Sequence, residues 1–291
     1  MSNQITFKTS LYGLIRLMRP KQWVKNTFVF APLIFSGLFT NITSVLETFL
    51  AAIFFCIASS AIYIINDFTD IEYDRKHPVK SKKRPLASGQ VSKSQATVLL
   101  IILCSILFSG YFIQPSVILI ITGYLLLNLA YTFVLKHQPV IDIFSIAIGF
   151  VLRVYAGAMS LSISVSSWMF VTTLCLALFL AAVKRRQELV ENGKESRKVL
   201  EHYSASLIDR YAEMSATGAL LFYSLFVMTT QPDMILTIPF VIFGLFRYWL
   251  IVESTGEGES PTDALFSDWQ LLFTTIIWAI VCIWMLMPGG V

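Results

Sequence analysis

Histidine and cysteine are scarce in this chain, and neither is arranged to hold a metal. The three histidines are scattered. Cys56, Cys104, Cys175 and Cys282 all lie in apolar runs, and their spacing matches no metal motif, so they read as small hydrophobes. Strand-like alternation of polar and apolar residues is missing, which argues against an outer-membrane barrel. A short early apolar segment is missing as well: the first apolar run begins late and runs long, so no cleavable signal peptide is expected.

What is abundant is apolar. Hydrophobic residues make up 56% of 291 and the mean hydropathy is +0.69, far from a soluble domain. A membrane helix needs about 20 mostly apolar residues. Nine such runs lie near 23–41, 44–66, 95–113, 116–135, 140–160, 167–184, 213–230, 234–252 and 268–287. The expected fold class is therefore all-α, a polytopic membrane bundle of about nine helices. It forms a single transmembrane domain over 1–291, with cytoplasmic loops near 67–94, 184–212 and 253–267.

Lysine and arginine are absent from every second connection, near Thr40, Gln114, Ser162 and Gln231. They crowd the others instead: Lys8 to Lys25 before the first run or at its opening, Arg75 to Lys93, Lys136, and Lys184 to Arg210. The positive-inside rule then places the amino terminus and the large loops in the cytoplasm of an inner, or plasma, membrane. Arg153 and Arg247 are the two bases left inside predicted helices. Such residues usually face the bundle interior or a wet cavity; the plainer reading is that each snorkels to an interface.

The most specific stretch is Asn66-Asp67-Phe68-Thr69-Asp70-Ile71-Glu72-Tyr73-Asp74, at the end of the second run. At 100° per residue, Asp67, Asp70 and Asp74 fall within roughly a 60° arc of one helix face. Glu72 points the other way. Three converging carboxylates repel one another unless a cation lies between them. Magnesium suits them, as a hard ion with oxygen ligands that often carries a diphosphate. Downstream, Arg75, Lys80, Lys82, Lys83 and Arg84 offer cations to phosphate oxygens. A solvated juxtamembrane loop beside anionic lipid would account for the lysines but not for the carboxylates.

This pattern resembles the UbiA superfamily of intramembrane prenyltransferases, whose signature Asn-Asp-x-x-Asp-x-x-x-Asp is matched by Asn66, Asp67, Asp70 and Asp74. The resemblance implies a nine-helix bundle in which the motif holds magnesium and a diphosphate. Members of that superfamily typically carry a second acidic motif, Asp-x-x-x-Asp, after the sixth helix. Here the position reads Lys184-Arg185-Arg186-Gln187-Glu188. That is anion-binding rather than metal-binding chemistry, and Lys or Arg supplies charge for a further phosphate directly. Ordinary positive-inside flanking is the plainer reading of the same cluster.

Arg19-Pro20-Lys21-Gln22-Trp23-Val24-Lys25-Asn26, Leu135-Lys136-His137-Gln138, the Lys184-Arg185-x-x-Glu188 segment and Phe246-Arg247-Tyr248 look like the decaprenyl-phosphate phosphoribosyltransferases, a branch of that superfamily. The resemblance runs from about Leu14 to about Trp284. It implies transfer of 5-phosphoribose from phosphoribosyl pyrophosphate to a polyprenyl phosphate, with a product that feeds arabinose donors for cell-wall polysaccharides. The partners implied are those two substrates and membrane lipid, with no nucleic acid, and homo-oligomerisation stays open. In that frame Asp67, Asp70 and Asp74 hold Mg2+ on the pyrophosphate, Asn66 orients it, and Lys80, Lys83 and Arg84 close over it. Lys184 and Arg185 are candidates for the 5-phosphate, with Glu188 positioning them or a ribose hydroxyl. Lys25, Asn26, Tyr131, Lys136 and Arg153 are candidates for the acceptor phosphate. The alternatives are a prenyltransferase moving an isoprenyl chain onto an aromatic or polar acceptor, and a transporter. The acidic stretch from Glu253 to Asp268 could bind metal or cap the cavity; a solvated connection is the plainer reading, because Gly and Pro interrupt it.

Overall fold

The computed structural model describes residues 11–76, 80–193, 198–255 and 261–287. Its helices are α1 (Ala31–Phe35), α2 (Ile42–Thr69), α3 (Ile71–Lys76), α4 (Lys80–Lys83), α5 (Lys93–Gly110), α6 (Pro115–Phe133), α7 (Ile141–Ser160), α8 (Ser167–Asn192), α9 (Ala205–Thr230), α10 (Ile238–Thr255), α11 (Pro261–Ser267) and α12 (Trp269–Met285). Helix starts follow local chemistry. The Asn41 side chain accepts from the Thr43 and Ser44 amides at 2.9 and 3.2 Å, which satisfies orphan donors at the start of α2. Ser92 and Gln95 form a reciprocal capping box at α5. Pro115 opens α6, where its missing N–H costs nothing. Asp268 accepts from the Leu271 amide at 2.8 Å to start α12.

Seven helices among the described residues are long and apolar enough to cross a membrane. The count rises to eight if α11 and α12, bent by 97°, form one broken span. The expected all-α polytopic bundle is thus observed, with seven or eight such helices among the described residues against about nine expected. The first run is not one helix but a 3-10 segment, Pro20–Phe30, followed by the short α1. Pro20 and Pro32 lack the amide an α-helix interior needs, and the polar Lys25 and Asn26 turn inward instead of toward lipid.

The 3-10 segment lies along α7 so closely that a Cβ on Gly157 would stand 1.9 Å from the Val29 carbonyl oxygen. Only glycine permits that approach. Val29 shares a core with Phe54, Phe55 and Ala58 of α2, Val117 and Ile121 of α6, and Ala156 of α7. A second core gathers Phe179 and Val183 of α8, Ile208 and Ala212 of α9, Tyr248 and Ile251 of α10, and Ala264 of α11. α2 and α7 are the most buried of the spans, and these two carry the intramembrane polar residues described next. In the first large segment, Gly89 at φ +75° turns the chain back toward α5. In the second, α8 runs on to Asn192 before α9 begins at Ala205.

Candidate active site

α2 ends at Thr69 and α3 begins at Ile71, so the acidic motif straddles a helix break at Asp70. Asp67 and Asp74 are buried, 3% and 4% exposed. Asp70 is about half exposed and sits 3.8 Å from Lys136. Glu72 faces solvent and pairs with Arg75 at 3.1 Å, so it points away as its spacing predicts. Asn66 Oδ1 accepts from the Thr132 hydroxyl at 2.5 Å, which ties the motif to the end of α6.

Two guanidiniums converge on one oxygen of Asp67. Arg84 donates to Oδ1 at 2.5 Å, and Arg19 donates to the same atom. Arg19 is also stacked over Tyr63, 4.7 Å from the ring centroid. Its backbone is left-handed, φ 53°, a conformation that costs energy for any residue with a Cβ and persists where the surroundings impose it. The other oxygen, Asp67 Oδ2, is buried and accepts no hydrogen bond.

An acceptor-only carboxylate oxygen held dry beside a second buried aspartate is the donor type a hard divalent cation takes. The residues present therefore fit Mg2+. They do not form a ready-made cage: among the described residues no three of His, Cys, Asp and Glu stand close enough to hold a metal. The helix break turns Asp70 toward Lys136, and Asp67 is drawn to the arginines.

The position of the missing second acidic motif is occupied differently from expectation. Arg185 is 0% exposed. It donates Nε to Asp142 Oδ2 at 2.6 Å and Nη2 to the Tyr131 hydroxyl at 2.6 Å, and it pairs with Glu188. Tyr203 closes the network, donating to Asp142 Oδ1 at 2.9 Å and accepting from the Val140 amide at 2.6 Å. Burial, with the Asp142 carboxylate behind it, holds the Tyr203 phenol above its ordinary range and keeps it a donor. Val140, β-branched at φ 67°, is a second strained residue beside this network. Arg185, expected on a substrate phosphate, is thus found paired inside the protein. A charge so deep must be paired, and its guanidinium is committed to Asp142, Glu188 and Tyr131. Lys184, 37% exposed, lies 3.9 Å from Glu188 and remains at the surface of the site. Arg186 bridges Asp209 and Glu253, each at 2.5 Å, and so joins α8, α9 and α10.

Arg153 is buried on α7 and donates Nε to Asn26 Oδ1 at 2.8 Å and Nη1 to the Gly149 carbonyl at 2.7 Å. Phe55, Tyr124 and Phe150 surround it at 4.9–5.3 Å between the guanidinium carbon and the ring centroids. Rings facing a cation replace part of its lost hydration. The interior placement expected from an intramembrane base is thus observed, with an aromatic cage for its walls. Asn26 in turn donates to Ser59 at 3.3 Å. Lys25 follows from the same segment, within electrostatic reach of Lys184, Arg153 and Arg19. Arg247 pairs with Asp268 at 2.6 and 3.1 Å and braces α10 against α12.

The acidic stretch after α10 is not simply a solvated connection. α11 buries Thr262 and Ala264 and packs against the 3-10 segment. Pro20, Lys21 and Val24 there and Asp263, Phe266 and Ser267 of α11 line a cavity of about 540 Å³. Lys83 contributes its carbonyl to Arg16 at 2.8 Å. The side chain of Lys80 lies outside the described residues. Sequence reasoning missed Arg19, Asp142 and Tyr203. A lone carboxylate inside a predicted membrane run was the available signal for Asp142.

An all-helical membrane bundle with an Asn-Asp-x-x-Asp-x-x-x-Asp motif at the end of one of its spans defines a class. Residues 28–272 match the UbiA prenyltransferase family, and the chain belongs to that family of integral, multi-pass membrane transferases. The chain is 32% identical to decaprenyl-phosphate phosphoribosyltransferase of Corynebacterium glutamicum over 287 residues, covering 93% of this chain and 85% of that protein. It is 33% identical to the protein of the same name from Mycolicibacterium smegmatis, covering 93% and 91%. Among solved structures, a UbiA homologue from Archaeoglobus fulgidus bound to GPP and Mg2+ superposes with a TM-score of 0.72 at 19% identity, over 94% of this chain and 99% of that one.

Proposed function

We propose that this chain transfers 5-phosphoribose from phosphoribosyl pyrophosphate to a polyprenyl phosphate of the decaprenyl type and releases pyrophosphate. The observation that carries the reading is near-full-length identity of about one third to relatives that bear this activity as their name. The lack of a second aspartate pair at Lys184–Glu188 supports it, because the segment presents the partly exposed cation Lys184 where that motif would present metal ligands. The chain sits in the inner membrane with its amino terminus and its site facing the cytoplasm.

Asp67, Asp70 and Asp74 are the residues that would hold Mg2+. The ion, when bound, neutralises charge that develops on the leaving pyrophosphate. Arg19 and Arg84, poised on Asp67, and Lys80 and Lys83 bind the diphosphate oxygens. Asn66 keeps the motif in register through Thr132. Lys184 receives the 5-phosphate, and Glu188, locked by Arg185, accepts from a ribose hydroxyl. Lys25, Asn26, Tyr131, Lys136 and Arg153 line the approach of the acceptor phosphate. That phosphate is already ionised at neutral pH, so no strong general base is required. The bond from the anomeric carbon to pyrophosphate breaks as a phosphate oxygen bonds to the opposite face, with inversion. Proximity supplies much of the rate.

Purified protein in detergent with Mg2+, labelled phosphoribosyl pyrophosphate and a polyprenyl phosphate tests this. Label in the organic phase supports the proposal. No transfer, together with turnover of an isoprenyl diphosphate and an aromatic acid, replaces it with ordinary prenyl transfer.

A further inference from the structure

The arrangement around Asp67 has a consequence for how metal enters. Oδ1 of this buried carboxylate is shared by Arg19 and Arg84, and Asp70 is matched by Lys136. Two of the motif's three aspartates are thus paired with the chain's own cations. A bare divalent cation would approach a carboxylate already paired with two guanidiniums, and it would have to displace at least one of them to gain full coordination. Both arginines are partly exposed, 24% and 29% for their side chains, so they border the open part of the site and can turn to another anion. A planar guanidinium pairs with a phosphate in the same two-pronged way as with a carboxylate.

We propose that Arg19 and Arg84 compete with the divalent cation for Asp67, so that metal and diphosphate bind together and neither metal nor motif is loaded in advance. When the diphosphate arrives, the guanidiniums pass from Asp67 to its oxygens, and the released carboxylate, with its dry Oδ2, becomes available to the cation. No bond other than coordination and hydrogen bonds changes in this exchange. It is a coupling between two ligands, and by linkage each must tighten the other by the same factor. The proposal rests on the diphosphate-and-metal reading of the motif above, and it names Arg19, 48 residues from its partner, as the residue that enforces the order. Toward the metal Arg19 acts only through Asp67; toward the diphosphate it binds directly.

The test is Mn2+ binding to full-length protein in detergent, read by the free-ion electron paramagnetic resonance signal, with and without inorganic pyrophosphate. A protein-free titration corrects for Mn2+ bound by pyrophosphate in solution. The wild type is expected to bind Mn2+ alone weakly and at least tenfold more tightly with pyrophosphate. Arg19→Gln and, separately, Arg84→Gln are expected to bind Mn2+ alone severalfold more tightly than the wild type, and to lose most of the gain from pyrophosphate. Two variants are used so that a folding defect in one leaves the other to decide, and each alone decides the matter if it elutes as a single species. Unchanged or weaker Mn2+ binding in a folded variant overturns the proposal, as does tight Mn2+ binding by the wild type with no pyrophosphate present. The outcome is separable from the function proposed above. Coupled Mn2+ and pyrophosphate binding without pentosyl transfer would remove that function and leave the competition standing. Pentosyl transfer without any Mn2+ binding would remove the competition alone.

Discussion

Arg185 Nε meets Asp142 Oδ2 at 2.6 Å, and neither side chain exposes any surface. This pair fills the place where the superfamily resemblance leads one to expect acidic metal ligands. The guanidinium supplies an internal positive charge there, fixed to the protein and shared with Glu188 and Tyr131. Its charge is therefore structural first, and whatever it does for the substrate it does by holding those two side chains still.

Arg185→Met should destabilise the protein by about 3–5 kcal/mol, because it strands a buried carboxylate. The measurement is thermal unfolding in detergent. Arg185→Met combined with Asp142→Leu should cost less than the two single changes added together, since contacting residues are not additive. An unchanged melting temperature in the single variant would mean that the pair is not formed as described.

Asp67→Asn and Asp74→Asn should each reduce turnover by about 100-fold or more, as expected when charge stabilisation of a leaving group is lost. Both variants should still insert and elute as the wild type does. Chelation of divalent ions should do the same to the wild type. Full activity in the presence of excess chelator would remove metal from the reaction, whatever the aspartates do.

Gly157→Ala isolates the packing that shapes the site. The added Cβ meets the Val29 carbonyl oxygen, a backbone atom with no rotamer by which to retreat. The 3-10 segment must then move, carrying Lys25 and Asn26 with it. A loss of about 1–3 kcal/mol is expected, the usual range for overpacking. Gly123→Ala is the matched control: a Cβ there has nothing within 4 Å, and stability should be close to wild type. Equal melting temperatures for the two variants would contradict the close approach of the segment to α7.

These particulars show what pattern alone could and could not carry. Hydropathy located α2, α5–α10 and α12, because a span is a local property of about 20 residues. The aspartate motif was legible for the same reason, as a spacing on one helix. The first run differs because apolar composition alone does not distinguish a lipid-facing helix from a partly buried 3-10 segment that begins at Pro20 and gives way to a short helix at Pro32. Pairings across the fold were out of reach. Nothing near Asp67 in sequence announces Arg19, and nothing near Arg185 announces Asp142, 43 residues earlier. An isolated carboxylate in a membrane run implies some cation but does not say which.

Lys184 separates binding from chemistry. It lies beside Glu188 at 3.9 Å, a long contact, and over a third of its side chain is exposed. An exposed cation there is placed to meet a ligand phosphate, whereas Arg185, one residue on, is buried against Asp142. A charge-assisted hydrogen bond is worth about 1.5–3 kcal/mol, so Lys184→Ala should raise the donor KM by roughly 10–100-fold. The reacting carbon is remote from the 5-phosphate, so kcat should change far less, the pattern of lost ground-state binding. The KM for polyprenyl phosphate is the internal control and should stay put. If instead the donor KM is unmoved while the lipid KM rises, Lys184 belongs to the acceptor phosphate, and the two phosphate sites proposed above exchange places.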